Sequence, residues 1–119
     1  MEQLILIAEP CKPLLRELRM TFSQDTRVSC LYETTTSEGL GTLLHRFSPD
    51  LVIVNQALIQ DVSILPRKKI VILASELDMR MLKAAYLHGM RGYLSVGTSI
   101  KLLETTLDYT EGALLLEPS

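Results

Sequence analysis

The side chains able to do chemistry are few, and they are scattered. Cys11 and Cys30 are the two thiols, and His45 and His88 the two imidazoles. The cysteines fall on different elements and lack C-x-x-C or metal-ligand spacing, so both are expected to be free, packing thiols. Each histidine stands alone on a helical stretch, with no partner at metal or acid–base spacing. Both are expected to face solvent or to pack. Glu9-Pro10-Cys11-Lys12-Pro13 follows an apolar run, as phosphate loops do, but it has no glycine and two prolines without N–H donors. Such a loop cannot cradle a phosphate, which disfavours nucleotide or flavin binding there. No nucleophile, base and orienting group share a pattern, so the chain is not expected to be an enzyme, and no cofactor, metal or small-molecule substrate is implied.

The elements that position these residues alternate in type. Leu4–Ala8, Leu51–Val54 and Ile70–Ala74 are short runs that are apolar on both faces, as buried parallel strands are. Thr26–Tyr32 and Gly92–Val96 complete five strands. Leu14, Leu18 and Phe22 mark one face of a first helix. Leu40, Leu43, Leu44 and Phe47 mark a second, after the capping spacing of Thr35 to Glu38, although Gly39 and Gly41 weaken it. Asn55–Pro66 is the least legible stretch, with a short helix expected around Ala57–Ile59. Ser75 to Asp78 again has capping spacing, which makes Ser75 the expected cap of a helix with Met81, Leu82, Ala85 and Tyr86 facing inward and Gly89 as its stop. Thr98 or Ser99 would cap a last helix carrying Ile100, Leu103 and Leu107, closed by Gly112. The sum is an α/β fold: a three-layer, doubly wound (βα)5 domain with a five-stranded parallel sheet. Such sheets carry function at the carboxyl ends of their strands. Here those positions are Glu9 and Pro10, Asn55, Ala74 and Ser75, and Val96.

Composition narrows the class further. A chain of 119 residues is room for one domain, and 47 % apolar with 22 % charged residues is ordinary for a globular chain. Twelve basic and 14 acidic residues give a net charge of −2, which disfavours direct binding to nucleic acid phosphates. No apolar run reaches the ~18 residues of a membrane span, and Met1-Glu2-Gln3 lacks the basic start of a secretion signal, so a cytoplasmic protein is expected.

The strand ends Ile5–Pro10, Pro49–Asn55, Ile72–Ser75 and His88–Leu94 together resemble those of receiver domains of bacterial response regulators. The similarity is to receivers that precede a LuxR/NarL-type helix-turn-helix domain, and it spans essentially the whole chain. It implies a fold in which two acidic residues after the first strand hold Mg²⁺ and an aspartate after the third accepts a phosphoryl group. A Thr or Ser after the fourth strand and a Lys after the fifth would read the phosphate. This chain departs from that set. Glu9 matches the first acidic position, but Pro10 occupies the second. Asn55 replaces the acceptor, and an amide is too poor a nucleophile to form an acyl phosphate. Ala74 stands at the hydroxyl position with Ser75 beside it, and Val96 replaces the lysine. The coherent loss implies a pseudo-receiver without phosphotransfer and without a metal. Glu9 is then expected to be a partly exposed strand-end residue and Asn55 a loop amide bonded to nearby backbone. Tyr93 matches a family aromatic that switches between inward and outward rotamers, and a static packed tyrosine is an equally open reading.

The resemblance further implies a homodimer, with Lys83, Leu87, Met90, Arg91, Leu102 and Tyr109 as the expected interface. DNA would be bound only through a helix-turn-helix domain outside this chain. Residues 1–112 form the expected domain and 113–119 the start of a linker. The leucines at 114–116 either fold back on the domain or make a contact between domains or subunits. A stand-alone adaptor or ligand-sensing module is the alternative function.

Overall fold

A computed structural model describes residues 3–97, 103 and 115–116. In chain order the elements are β1 (Gln3–Ala8), α1 (Lys12–Ser23), β2 (Val28–Thr34), α2 (Ser37–Arg46), β3 (Leu51–Asn55), β4 (Ile70–Ala74), α3 (Met79–His88), β5 (Gly92–Ser95) and β6 (Leu115–Leu116). Between β3 and β4 lie two single 3₁₀ turns, Gln56–Leu58 and Val62–Ile64, in place of an α-helix. Asn55 and Asp61 cap these turns by accepting from the N–H groups of Ala57 and Ser63.

All strand pairings are parallel, in the order β2-β1-β3-β4-β5-β6. The five expected strands are present. The two-residue β6 extends the sheet by pairing Leu115 with Gly92 and Leu116 with Tyr93, so the backbone of Leu115 and Leu116 lies beside β5. The chain reverses its direction of travel between β1 and β3, which makes their carboxyl ends the topological switch point.

Strand alternation divides the core in two. Ile5, Ile7, Leu51, Ile53, Val71, Leu73 and Leu94 pack with Leu15, Leu18 and Phe22 of α1 and with helical Leu103. Leu6, Ala8, Val52, Val54, Ile70, Ile72 and Tyr93 face the opposite way and pack with Leu40 of α2 and Ala85 of α3. This is the expected three-layer arrangement, with every central strand buried on both faces. Edge strand β2 differs, with Ser29, Cys30 and Glu33 exposed.

The helix ends show how local sequence sets α2 and α3. Thr36, not Thr35, caps α2 by accepting from Gly39 N. Gly39 is required for close approach rather than for helicity, because a Cβ there would lie 1.9 Å from Thr34 Oγ1. Asp78, not Ser75, caps α3, its Oδ1 accepting from the N–H groups of Arg80 and Met81. Capping spacing alone placed the cap three residues early, since Asp78 is itself a strong cap residue next to the first helical turn. Gly89, at φ 93°, ends α3 in the left-handed region that an L side chain resists.

Candidate functional site at the carboxyl ends of the strands

Parallel register builds the site. Ala8 lies beside Val54, so one residue further on Glu9 and Asn55 emerge side by side. Both continue the face that carries Ile5, Ile7, Leu51 and Ile53, and so both lie beneath the start of α1. Glu9 is 1 % exposed, the one buried charged residue among the described residues, and not the partly exposed residue expected. The reason is local. Asn55 Nδ2 donates to Glu9 Oε1 at 2.8 Å, and Cys11 N donates to Glu9 Oε2 at 2.8 Å. With both oxygens engaged, the carboxyl is tolerated at a buried strand end. Asn55 is bonded on both sides, since its Oδ1 accepts from Ala57 N at 2.9 Å. The expectation of an amide bonded to nearby backbone was therefore incomplete, because the same amide also ties β3 to β1 through Glu9.

A cleft of about 570 Å³ opens over this pair, between α1 and the ends of β1, β3, β4 and β5. Pro10, Ser75 and Val96 line it together with Glu9 and Asn55. Ala74 lies on the opposite core face and does not line it. Five of the six strand-end positions are thus brought together. Ser75 is exposed and Val96 packs against the α1-side core.

A hard divalent cation normally takes oxygen ligands from one or two carboxylates. Glu9 is the buried carboxyl at this cleft, and it already accepts two N–H groups. Asn55 aims its NH₂, a donor, at the place where an acceptor would be needed. The donor set does not suit Mg²⁺. Among the described residues, no three His, Cys, Asp or Glu side chains converge as metal ligands.

A second group of contacts lies on the other face of the sheet. Tyr93 is buried, 5 % exposed, with its ring in the core on the α2–α3 side. Its hydroxyl donates to Gln56 Oε1 and accepts from Asp78 N at 3.1 Å. Gln56 Nε2 in turn donates to Glu76 O at 3.1 Å. The tyrosine is inward, and the turn after β3 and the loop before α3 meet at it. Gln56 has no signature in the sequence beyond following Asn55 directly.

The outer surface of α3 carries large apolar side chains beside the exposed Arg80 and Lys83. Met79, Tyr86 and Leu87 are 63 %, 61 % and 67 % exposed, and Leu77 beside them is also exposed. Met79, Leu82, Lys83 and Tyr86 line a shallow groove of about 510 Å³. Tyr86, expected to face inward, faces out, because Ala85 takes the buried position and Met81 and Leu82 flank it. Of the residues expected at an interface, Lys83 and Leu87 are exposed. Met90 is not available, being 5 % exposed in the core under the end of α3. Arg91 is half-buried and its Nε donates to Lys68 O at 2.8 Å, where burial pulls its pKa down. Leu102 and Tyr109 lie outside the described residues.

The remaining candidates stay apart. Cys11 and Cys30 are free and exposed rather than buried. Exposed His45 sits in the last turn of α2, and a ring nitrogen of His88 lies 2.6 Å from Leu65 O. Among the described residues, no helix is long and apolar enough to cross a membrane.

No protein-family model matches the sequence, and no curated protein matches it. Solved structures do. A two-component response regulator of the LuxR family from Aurantimonas sp. SI85-9A1 superposes with a TM-score of 0.77 at 14 % identity, covering 99 % of this chain and 91 % of that one. A signal receiver domain from Mycobacterium tuberculosis assigned to the response regulator NarL gives 0.73 at 13 % identity, over 90 % and 94 % of the two chains. The phosphorylated cyanobacterial phytochrome response regulator RcpA gives 0.70 at 13 % identity, over 95 % and 100 %. The chain has the fold of response-regulator receiver domains, those of the LuxR/NarL type among them.

Proposed function

We propose that this chain is a receiver-like regulatory domain that works without phosphotransfer, by associating with a second copy of itself within a DNA-binding transcriptional regulator of the cytoplasm. The observation that carries this reading is the Glu9–Asn55 pair. At the switch point, where the fold would perform phosphoryl chemistry, an amide donates to a buried carboxyl, and both are bonded within the chain. With an amide in place of the acceptor carboxylate, and no suitable set of cation ligands among the described residues, binding another protein is the role this reading assigns to the fold. The apolar outer face of α3 supplies a surface for that role, with Lys83 and Leu87 on it and Met79 and Tyr86 beside them. A two-fold pair of such domains would set the spacing of two output domains on DNA. Sedimentation velocity across a concentration series tests the reading. The expected result is a monomer–dimer equilibrium, and a strict monomer at high concentration overturns it.

A further inference from the structure

Gln56, Tyr93 and Asp78 come from three separate segments: the turn after β3, strand β5, and the start of α3. Tyr93 is buried, yet its hydroxyl lies where Gln56 Oε1 accepts from it and Asp78 N donates to it. Asp78 is the residue whose carboxyl caps α3. Gln56 also grips Glu76 O, two residues before that cap. The start of α3 is therefore tied twice to the β3 turn, once by Gln56 directly and once through the tyrosine. The β3 turn is fixed in its own right, because Asn55 caps it and is bonded to Glu9.

We infer that Gln56 is a built-in peg. It holds Tyr93 inward and, through that ring, fixes the start of α3 and the pose of its apolar face, with no bound group required. A buried tyrosine needs a partner for its hydroxyl to remain inside. Gln56 supplies an acceptor and Asp78 a donor, so the inward rotamer is satisfied by the resting chain. Gln56 is a positioning residue, acting on Asp78 and α3 through Tyr93. The consequence for association rests on the function proposed above, whereas the peg itself does not.

Amide hydrogen exchange on the whole chain separates the two. Each lost hydrogen bond is worth about 1 kcal/mol, so Tyr93→Phe is expected to speed exchange of the Asp78 amide about fivefold or more. Gln56→Ala is expected to do the same for the Glu76–Met81 segment. The double variant should exceed Tyr93→Phe across Glu76–Met81 only by the direct Gln56–Glu76 link, because the link through the tyrosine is already cut. Amides of β1 and β3 serve as the control and should keep their protection, which also shows that the variants fold. Unchanged exchange at Asp78 in both single variants overturns the peg. Faster exchange with an unaltered dimer constant overturns its role in posing the α3 face. If the parent chain sediments only as a monomer, the proposed association fails, and the exchange data still judge the peg.

Discussion

At the end of β1 a buried carboxyl has both oxygens bonded within its own chain, while along α3 three large apolar side chains stand more than half exposed. The two regions differ in what they leave unmet. At the switch point the buried carboxyl of Glu9 and the amide of Asn55 already have intramolecular partners. On α3 the unmet quantity is apolar surface, which water disfavours and another protein can cover. In a fold whose strand ends usually carry the chemistry, the difference moves the expected activity from the cleft to the helix. Gln56 connects the two regions, through Tyr93 to Asp78 and directly to Glu76 O.

The sharpest way to break the comparison is to charge the apolar face. Tyr86→Glu and Leu87→Glu should each weaken self-association tenfold or more by sedimentation, since burying a lone carboxylate in an interface is costly. Both sites are exposed, so melting temperatures should barely move. An unaltered dimer would remove α3 from the interface.

Next in size is the switch point itself. Glu9→Ala leaves Asn55 Nδ2 and Cys11 N without their partner and should destabilise the chain by about 1–3 kcal/mol in urea unfolding. It should leave the α3 groove intact. Asn55→Asp tests the same pair differently, by setting two carboxyls against each other. One of them must then titrate above the ordinary carboxylate range, so the folded state holds the extra proton. The variant's stability should accordingly fall as pH rises through about 4 and beyond. Incubation of that variant with acetyl phosphate and Mg²⁺ should still yield no phosphate-dependent switching, because Pro10 and Val96 remain in place.

The smallest effect concerns the second 3₁₀ turn, Val62–Ile64, which Asp61 caps. Ser63 Oγ and Ser63 N–H both donate to Asp61 and hold its carboxyl below the usual carboxylate range, and the nearby His88 adds to the effect. A depressed folded pKa contributes stability that is full above the unfolded value and is lost as pH falls through the folded one. The difference in stability between the parent chain and Asp61→Ala should therefore be constant near neutral pH and shrink in acid. A difference that grows on acidification would contradict this reading of the turn.

Much of the fold was legible in the sequence because buried parallel strands announce themselves. Leu4–Ala8, Leu51–Val54 and Ile70–Ala74 are apolar on both faces, and few other structures require that. The stretch after β3 was illegible because its turns are one residue triplet each and are held by side-chain caps at Asn55 and Asp61 rather than by an apolar stripe. Parallel register alone aligns Glu9 with Asn55 at the strand ends, whereas strand alternation turns Ala74 to the opposite face. The burial of Glu9 was missed, because a strand-end glutamate reads as solvated until its two donors are known. Gln56 was missed for a related reason: a glutamine in a loop carries no pattern, and only the depth of Tyr93 shows what it holds. Tyr86 and Met90 exchanged sides relative to expectation. Helical periodicity gives a face to within about one residue, and small Ala85 was the position that could pack closest.

The central claim is that association is independent of phosphoryl chemistry at the strand ends. It is tested most directly by adding Mg²⁺ with acetyl phosphate, or with beryllofluoride, to the parent chain and recording intact mass and sedimentation together. The expected result is an unchanged mass and the same dimer constant with and without the reagents. A stable adduct of one phosphoryl group, or a dimer that forms only when the reagents are present, would contradict it.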